Sequence, residues 1–209
     1  MNYKAIIFDF DGVILDSVNI KTLAFEAIYL PHGREIAEKV KAHHLLNGGI
    51  SRFKKFRYYH QNFLGIELTD AQVDRMAEEF SELVFQKVSE AAFIKGAASF
   101  LEAHHDSRKC FIATGTPQNE IEQIVAIRNL GNYFVSVHGS PTSKEDIIEE
   151  IMTTHELSMN DVIFVGDAMT DYHAAEAKNL TFVGVANKNT LFPTGTKLIN
   201  DLMELEEII

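Results

Sequence analysis

Asp9 and Asp11 stand two residues apart where an apolar run ends, in Phe8-Asp9-Phe10-Asp11-Gly12. A second apolar run ends in Gly166-Asp167-Ala168-Met169-Thr170-Asp171. In an extended chain Asp9 and Asp11 would point to opposite faces, but Gly12 lets the backbone turn at once and bring both to one pocket. Asp9, Asp11 and Asp167 form the expected metal-site set. Asp9, Asp167 and a backbone carbonyl make an all-oxygen site, which suits Mg²⁺ with several waters retained. A single aspartate after a strand is ordinarily a turn or helix-cap residue. Several uncompensated carboxylates at the strand ends of one sheet call for a cation.

Two further residues have the chemistry of a phosphate site. The Thr114 hydroxyl and the Lys144 ammonium can hold two phosphoryl oxygens, and backbone N–H groups after the strand, such as that of Gly115, can hold others. Lys144 opens a helical stretch, where a cation opposes the helix dipole. That mild misfit favours a functional role over a solvated one.

The elements that must position these residues are legible from hydrophobic patterning. Continuous apolar runs occur at 3–8, 109–113, 133–137, 162–165 and 181–185. Such runs suit strands buried on both faces of a parallel sheet. Amphipathic stretches at about 97–106, 117–130, 143–156 and 171–178 alternate with them. The expectation is a doubly wound α/β core of Rossmann-like type, with its site at the carboxyl ends of the strands. Between the first two strands lie stretches at 18–30, 33–46, 51–64 and 69–89 that read as helices, the last opened by a capping box at Thr69 and Gln72. This insertion is too long for a loop. It is expected to form a helical cap domain over 15–90, with 1–14 and 91–209 as the catalytic core and 92–96 as the return linker.

Composition bounds the partners. The chain has 209 residues, 46% of them hydrophobic, with 19 basic against 30 acidic residues and a net charge of −11. That is enough apolar surface for a core without staples. The acidic balance disfavours nucleic acid and anionic membranes as partners. Cys110, the one cysteine, lies in an apolar run and reads as a buried thiol. With no secretory leader pattern and no run long enough to span a bilayer, a cytoplasmic protein is expected.

The four motifs, in order, resemble those of the haloacid dehalogenase superfamily: Asp9-Phe10-Asp11-Gly12, a strand ending in Thr114, Lys144, and Gly166-Asp167 with Asp171. The extension to Asp16-Ser17 and the helical insertion are similar to the phosphoglycolate phosphatase and β-phosphoglucomutase branch. Glu145 stands where that branch often has proline, and 92–96 lacks the usual proline-glycine pair. The resemblance implies a Mg²⁺-dependent phosphatase acting on a small soluble phosphomonoester. Asp9 would be the nucleophile, forming an aspartyl-phosphate. Asp11 would be the general acid and base, its pKa raised by neighbouring carboxylates. Lys144 would neutralise charge, and Asp171 would orient Lys144.

The same resemblance implies a mobile cap, with Gly48-Gly49 as a flexible joint and Arg52 over the substrate. Lys54, Lys55 and Arg57 fit substrate contact or a solvated basic face equally well. The pairs His43-His44 and His104-His105 read as surface residues, and Tyr58-Tyr59-His60 as cap core. A phosphomutase of the β-phosphoglucomutase type is the first alternative, and a non-enzymatic module that accepts phosphate on an aspartate is the second. A monomer or weak homodimer is expected.

Overall fold

A computed structural model describes residues 3–209. Strands β1 (Ala5–Phe8), β2 (Lys109–Pro117), β3 (Ser136–Ser140), β4 (Val162–Gly166), β5 (Thr181–Val185) and β6 (Lys197–Ile199) form one sheet in the order β3-β2-β1-β4-β5-β6. All its pairings are parallel. β1 and β4 are buried along their whole length, as their unbroken apolar runs require. The connections reverse direction between β1 and β4, the switch point at which open α/β sheets place ligands.

Helices α5 (Ala97–His104), α6 (Gln118–Ile127), α7 (Lys144–Thr154) and α8 (Met169–Ala177) connect the strands. Two hydrophobic clusters cover the two faces of the sheet. Ile6, Phe8, Ile112 and Val165 belong to one, and Ile7, Phe111 and Phe164, which alternate with them along the strands, to the other. The Cys110 thiol is buried, and burial pushes its pKa up to about 12.

The insertion holds α1 (Val18–Tyr29), α2 (Arg34–Leu46), α3 (Arg52–Tyr59) and α4 (Asp70–Ser89). A π-helical turn over His60–Leu64 follows α3, and the Thr69–Gln72 capping box starts α4. Phe25, Tyr29, Phe56, Tyr59 and Phe80 bury their rings together inside these helices. Tyr58, by contrast, is exposed. The chain enters and leaves the insertion along neighbouring paths: Asp16 N donates to Ala92 O and Ile94 N to Ile14 O. No helix among the described residues is long and apolar enough to cross a membrane.

Two features depart from the sequence reading. β6 was not expected; its three residues carry little apolar signal, and only Ile199 is buried. β3 begins at Ser136 rather than in the run from Tyr133, because 131–133 forms a 3₁₀ turn against the end of α6.

Candidate active site

Asp9 follows directly on β1, and its backbone N–H donates to Val165 O of β4 at 2.9 Å. Since Phe8 is in register with Val165, Asp9 and Asp167 leave adjacent strand ends together. Gly12, at φ 81°, turns the chain away; a side chain there would collide with the Asp167 carboxylate. Asp171 folds back over the first turn of α8, where its Oδ2 accepts from Ala168 N at 3.1 Å. Lys144 is delivered by α7, whose Ser143 cap accepts from Asp146 N.

These residues meet. Lys144 Nζ lies 3.0 Å from Asp9 Oδ1 and also bonds Asp171 Oδ1. Asp9, Asp167 and Asp171 each offer an oxygen, all within 4.8 Å of one another. Thr114 and Gly115 line the same cavity, with the Thr114 hydroxyl buried at the β2 end. The cavity has a volume of about 220 Å³, room for a small molecule.

The electrostatics fit a divalent cation. Three buried carboxylates (Asp9, Asp167 and Asp171) and the half-buried Asp11 face two ammonium groups, those of Lys144 and Lys21. Burial pushes Asp9 up to about 7, with Asp171 and Asp11 adding to it against Lys144. Burial, Asp9 and Asp171 likewise push Asp167 well above the usual carboxylate range. No donor among the described residues reaches Asp9 Oδ2 or Asp167 Oδ1. Two crowded carboxylates with free oxygens form a hard, all-oxygen donor set of the kind a divalent metal takes. Burial opposes the charge on Lys144, but Asp171 and Asp9 outweigh it and raise its pKa.

Asp11 differs from expectation in two ways. Its carboxylate is not part of the three-aspartate group, where Asp171 stands instead. It accepts from Lys21 Nζ at 2.5 Å, Ser17 Oγ at 2.5 Å and Thr116 Oγ1 at 3.1 Å. Its pKa is also lowered, not raised. Burial pushes it up, but the Lys21 ammonium and these three donors prevail. Lys21 escaped notice in the sequence, although it lies one helical turn beyond Ser17 on the face that Asp11 meets. Asn187, in the loop after β5, was also missed; its Nδ2 donates to Asp167 O at 2.7 Å.

The cap residues are corrected more heavily. Arg52 lines the cavity but is 4% exposed, and its guanidinium grips Glu120 of α6 through two bonds of 2.8 and 2.6 Å. Ser81 takes a further bond, and the group lies 4.6 Å over the Phe80 ring. The expected substrate arginine is thus engaged by the protein itself. Lys55 is buried rather than solvated, and so is His44. Gly48-Gly49 is a place of close approach rather than a free joint: Gly48 O accepts from Thr170 Oγ1 at 2.6 Å, and Gly49 lies against Gly115. Without side chains there, this loop of the insertion can touch the backbone at Gly115 of β2.

The model for haloacid dehalogenase-like hydrolases matches residues 6–185. The chain belongs to this family. It is therefore a hydrolase, as the four motifs implied. It is 23% identical over 181 residues to the phosphoglycolate phosphatase of Vibrio cholerae, covering 83% of this chain and 80% of that protein. Its fold is similar to that of β-phosphoglucomutase from Clostridium difficile, with a TM-score of 0.77, 20% identity, and 99% and 95% of the two chains covered. It is also similar to the HAD-hydrolase YfnB from Bacillus subtilis, solved bound to magnesium, with a TM-score of 0.73, 16% identity, and 100% and 99% covered.

Proposed function

We propose that the protein is a Mg²⁺-dependent phosphatase of small phosphomonoesters that works through a phosphoryl group carried on Asp9. The observation that carries this reading is the free Asp9 Oδ2 beside Lys144 and Asp167, at the bottom of a cavity lined by Thr114 and Gly115. A carboxylate oxygen with no donor is available to attack phosphorus, while Lys144 neutralises charge next to it. The phosphoglycolate phosphatase likeness supports the reaction class, and the magnesium-bound relative supports the metal.

Asp9 and Asp167 would hold the metal, which would supply positive charge to the phosphoryl oxygens, while Asp171 orients Lys144. In the first step an Asp9 oxygen bonds to phosphorus, the ester P–O bond breaks, and the departing oxygen takes a proton. That proton comes from the Lys21–Asp11 pair, whose Nζ and Oδ2 share a hydrogen bond of 2.5 Å. In the second step Asp11 accepts a proton from water as the water oxygen bonds to phosphorus. The Asp9–phosphorus bond then breaks and inorganic phosphate leaves.

Phosphate release from a panel of phosphorylated acids, sugars and nucleotides tests the reading. Turnover without any bisphosphate activator supports a phosphatase. Turnover only with such an activator assigns a mutase, and a phospho-protein that persists for minutes without turnover assigns a phosphate-accepting module.

Asp11→Asn is expected to slow turnover of alkyl phosphates by about 10²–10⁴-fold, the usual worth of general acid–base catalysis. The loss should be smaller on p-nitrophenyl phosphate, whose leaving group needs little protonation. Equal losses on both substrates would remove Asp11 from proton transfer.

Mg²⁺ should raise Tm more at pH 8 than at pH 5. The unfolded chain sheds the Asp9 proton near pH 4, whereas the folded chain keeps it until about pH 7. The stability contributed by this raised pKa is therefore present in acid and lost as pH passes 7. Above that pH the ionised cluster repels itself, and a cation relieves it; below it, protons compete with the cation. A Tm gain independent of pH, or none at all, would count against the site.

A further inference from the structure

Besides Lys55, the cations buried around the cavity each have a carboxylate. Lys21 is paired with Asp11, Arg52 with Glu120, and Lys144 with Asp9 and Asp171. Lys55 is the exception. It is 2% exposed and has no carboxylate within ion-pair distance among the described residues. Its one hydrogen-bond partner is His44 Nδ1, at 2.8 Å. An unpaired buried charge is costly to a fold unless something compensates it.

His44 stands behind Lys55 as an acceptor. Burial, with Lys55 and Lys21 nearby, pushes the imidazole down to about 2, so it stays neutral and accepts a hydrogen bond from the ammonium. The Phe25 ring lies 5.6 Å from Lys55 Nζ and 4.8 Å from the His44 ring, which confines both side chains. Lys55 and His44 line the same cavity as Asp9 and Thr114, but they come from α3 and α2 of the cap.

We infer that Lys55, held by His44, is the subsite for an anionic group at the non-reacting end of the substrate, either a carboxylate or a second phosphate. This rests on the phosphatase reading above. The motif residues handle the transferred phosphoryl group and are the same for any phosphomonoester. Lys55 supplies what they lack: a desolvated cation awaiting an anion. Burial, followed by Lys21, pulls its pKa down to about 7 against Asp11 and Asp167, so an arriving anion would also restore its full charge. His44 is the positioning residue, aiming the ammonium by accepting one of its hydrogens.

The test compares three substrates of similar size: phosphoglycolate, with a carboxylate tail; ethanediol bisphosphate, with a phosphate tail; and ethyl phosphate, with none. The wild-type protein should prefer one or both anionic tails, and which one it prefers names the source of the anion. Lys55→Met, close in length and apolar, should lower kcat/KM for that substrate by roughly 10–100-fold, the scale of a buried charge-assisted hydrogen bond. Ethyl phosphate should change less than about threefold, which also shows that the variant folds. His44→Leu should cause a smaller loss with the same selectivity. Binding of phosphonoacetate against ethylphosphonate, followed by thermal shift, gives a readout without turnover: Lys55→Met should erase the difference between them. Equal losses on all three substrates would make Lys55 structural and overturn the inference. So would a wild-type protein that cleaves all three alike, while leaving the phosphatase reading intact. Failure to release phosphate from any substrate, with selective phosphonoacetate binding preserved, would sink the phosphatase reading and leave the subsite standing.

Discussion

Asp9→Asn is expected to abolish phosphate release, with turnover falling to the uncatalysed background, while the protein stays folded. The amide has the shape of the carboxylate and can keep the 2.7 Å bond from Phe10 N and the contact with Lys144. It cannot form the bond to phosphorus on which both steps depend, and Asp167, the other carboxylate with an oxygen free of donors, would be taken up by the metal. Asp11 is bound by three donors, and Asp171 uses its two oxygens on Lys144 and Ala168. Removing one negative charge from a crowded cluster should also raise Tm in metal-free buffer at pH 8 and shrink the further gain from Mg²⁺. Steady-state phosphate release and thermal unfolding with and without Mg²⁺ measure both effects. Residual activity within about tenfold of the natural protein would exclude Asp9 as nucleophile.

Arg52→Ala is expected to cost the fold about 3–5 kcal/mol, the usual result of removing one partner of a buried ion pair. Glu120, 7% exposed, would keep only Ser81, at 2.7 Å, in place of a two-pronged guanidinium. The cost arises because the carboxylate left behind is buried and keeps one hydrogen-bond donor in place of three. Glu120→Ala should cost a similar amount for the reverse reason. Replacing both with apolar residues of similar volume, Arg52→Met with Glu120→Leu, should recover much of it, since neither charge is then stranded. Urea unfolding of the natural protein and the three variants measures these differences. Because the pair joins α3 of the cap to α6 of the core, activity should fall in proportion on every substrate, p-nitrophenyl phosphate included. Unchanged stability, with a loss confined to anionic-tailed substrates, would return Arg52 to the substrate-contact role expected from the sequence.

The two predictions differ in how far they could be reached from sequence alone. The Asp9 assignment needed only the residues around it. A carboxylate pair two apart before a glycine, a second aspartate motif, a threonine and a lysine are separate signals that agree, and all lie at the ends of apolar runs. The Arg52 prediction was not reachable. Its partner lies 68 positions away in a helix of the other layer, and Arg52 itself sits in a stretch that looks like a basic surface. His44 was misread, and Lys55 left open between two roles, for the same reason: in sequence they belong to polar helices, and only the packing of α2 against α3 buries them together.

The sequence by itself determined the architecture and named most of the residues that gather at the strand ends. Uninterrupted Val, Ile and Phe runs must be buried on both faces, which selects a parallel sheet, and a hundred residues between two strands must fold as a unit of their own. The tertiary structure alone decided the charge pairing. Lys21 took Asp11 and held it ionised, Arg52 took Glu120, Asp171 rather than Asp11 joined the three-aspartate group, and Lys55 was left with an imidazole. A side chain's apolar or polar character is local and periodic, so it can be read along the chain. Which cation meets which anion depends on which helix faces come together, and the energy of that meeting depends on burial, which no single residue carries with it.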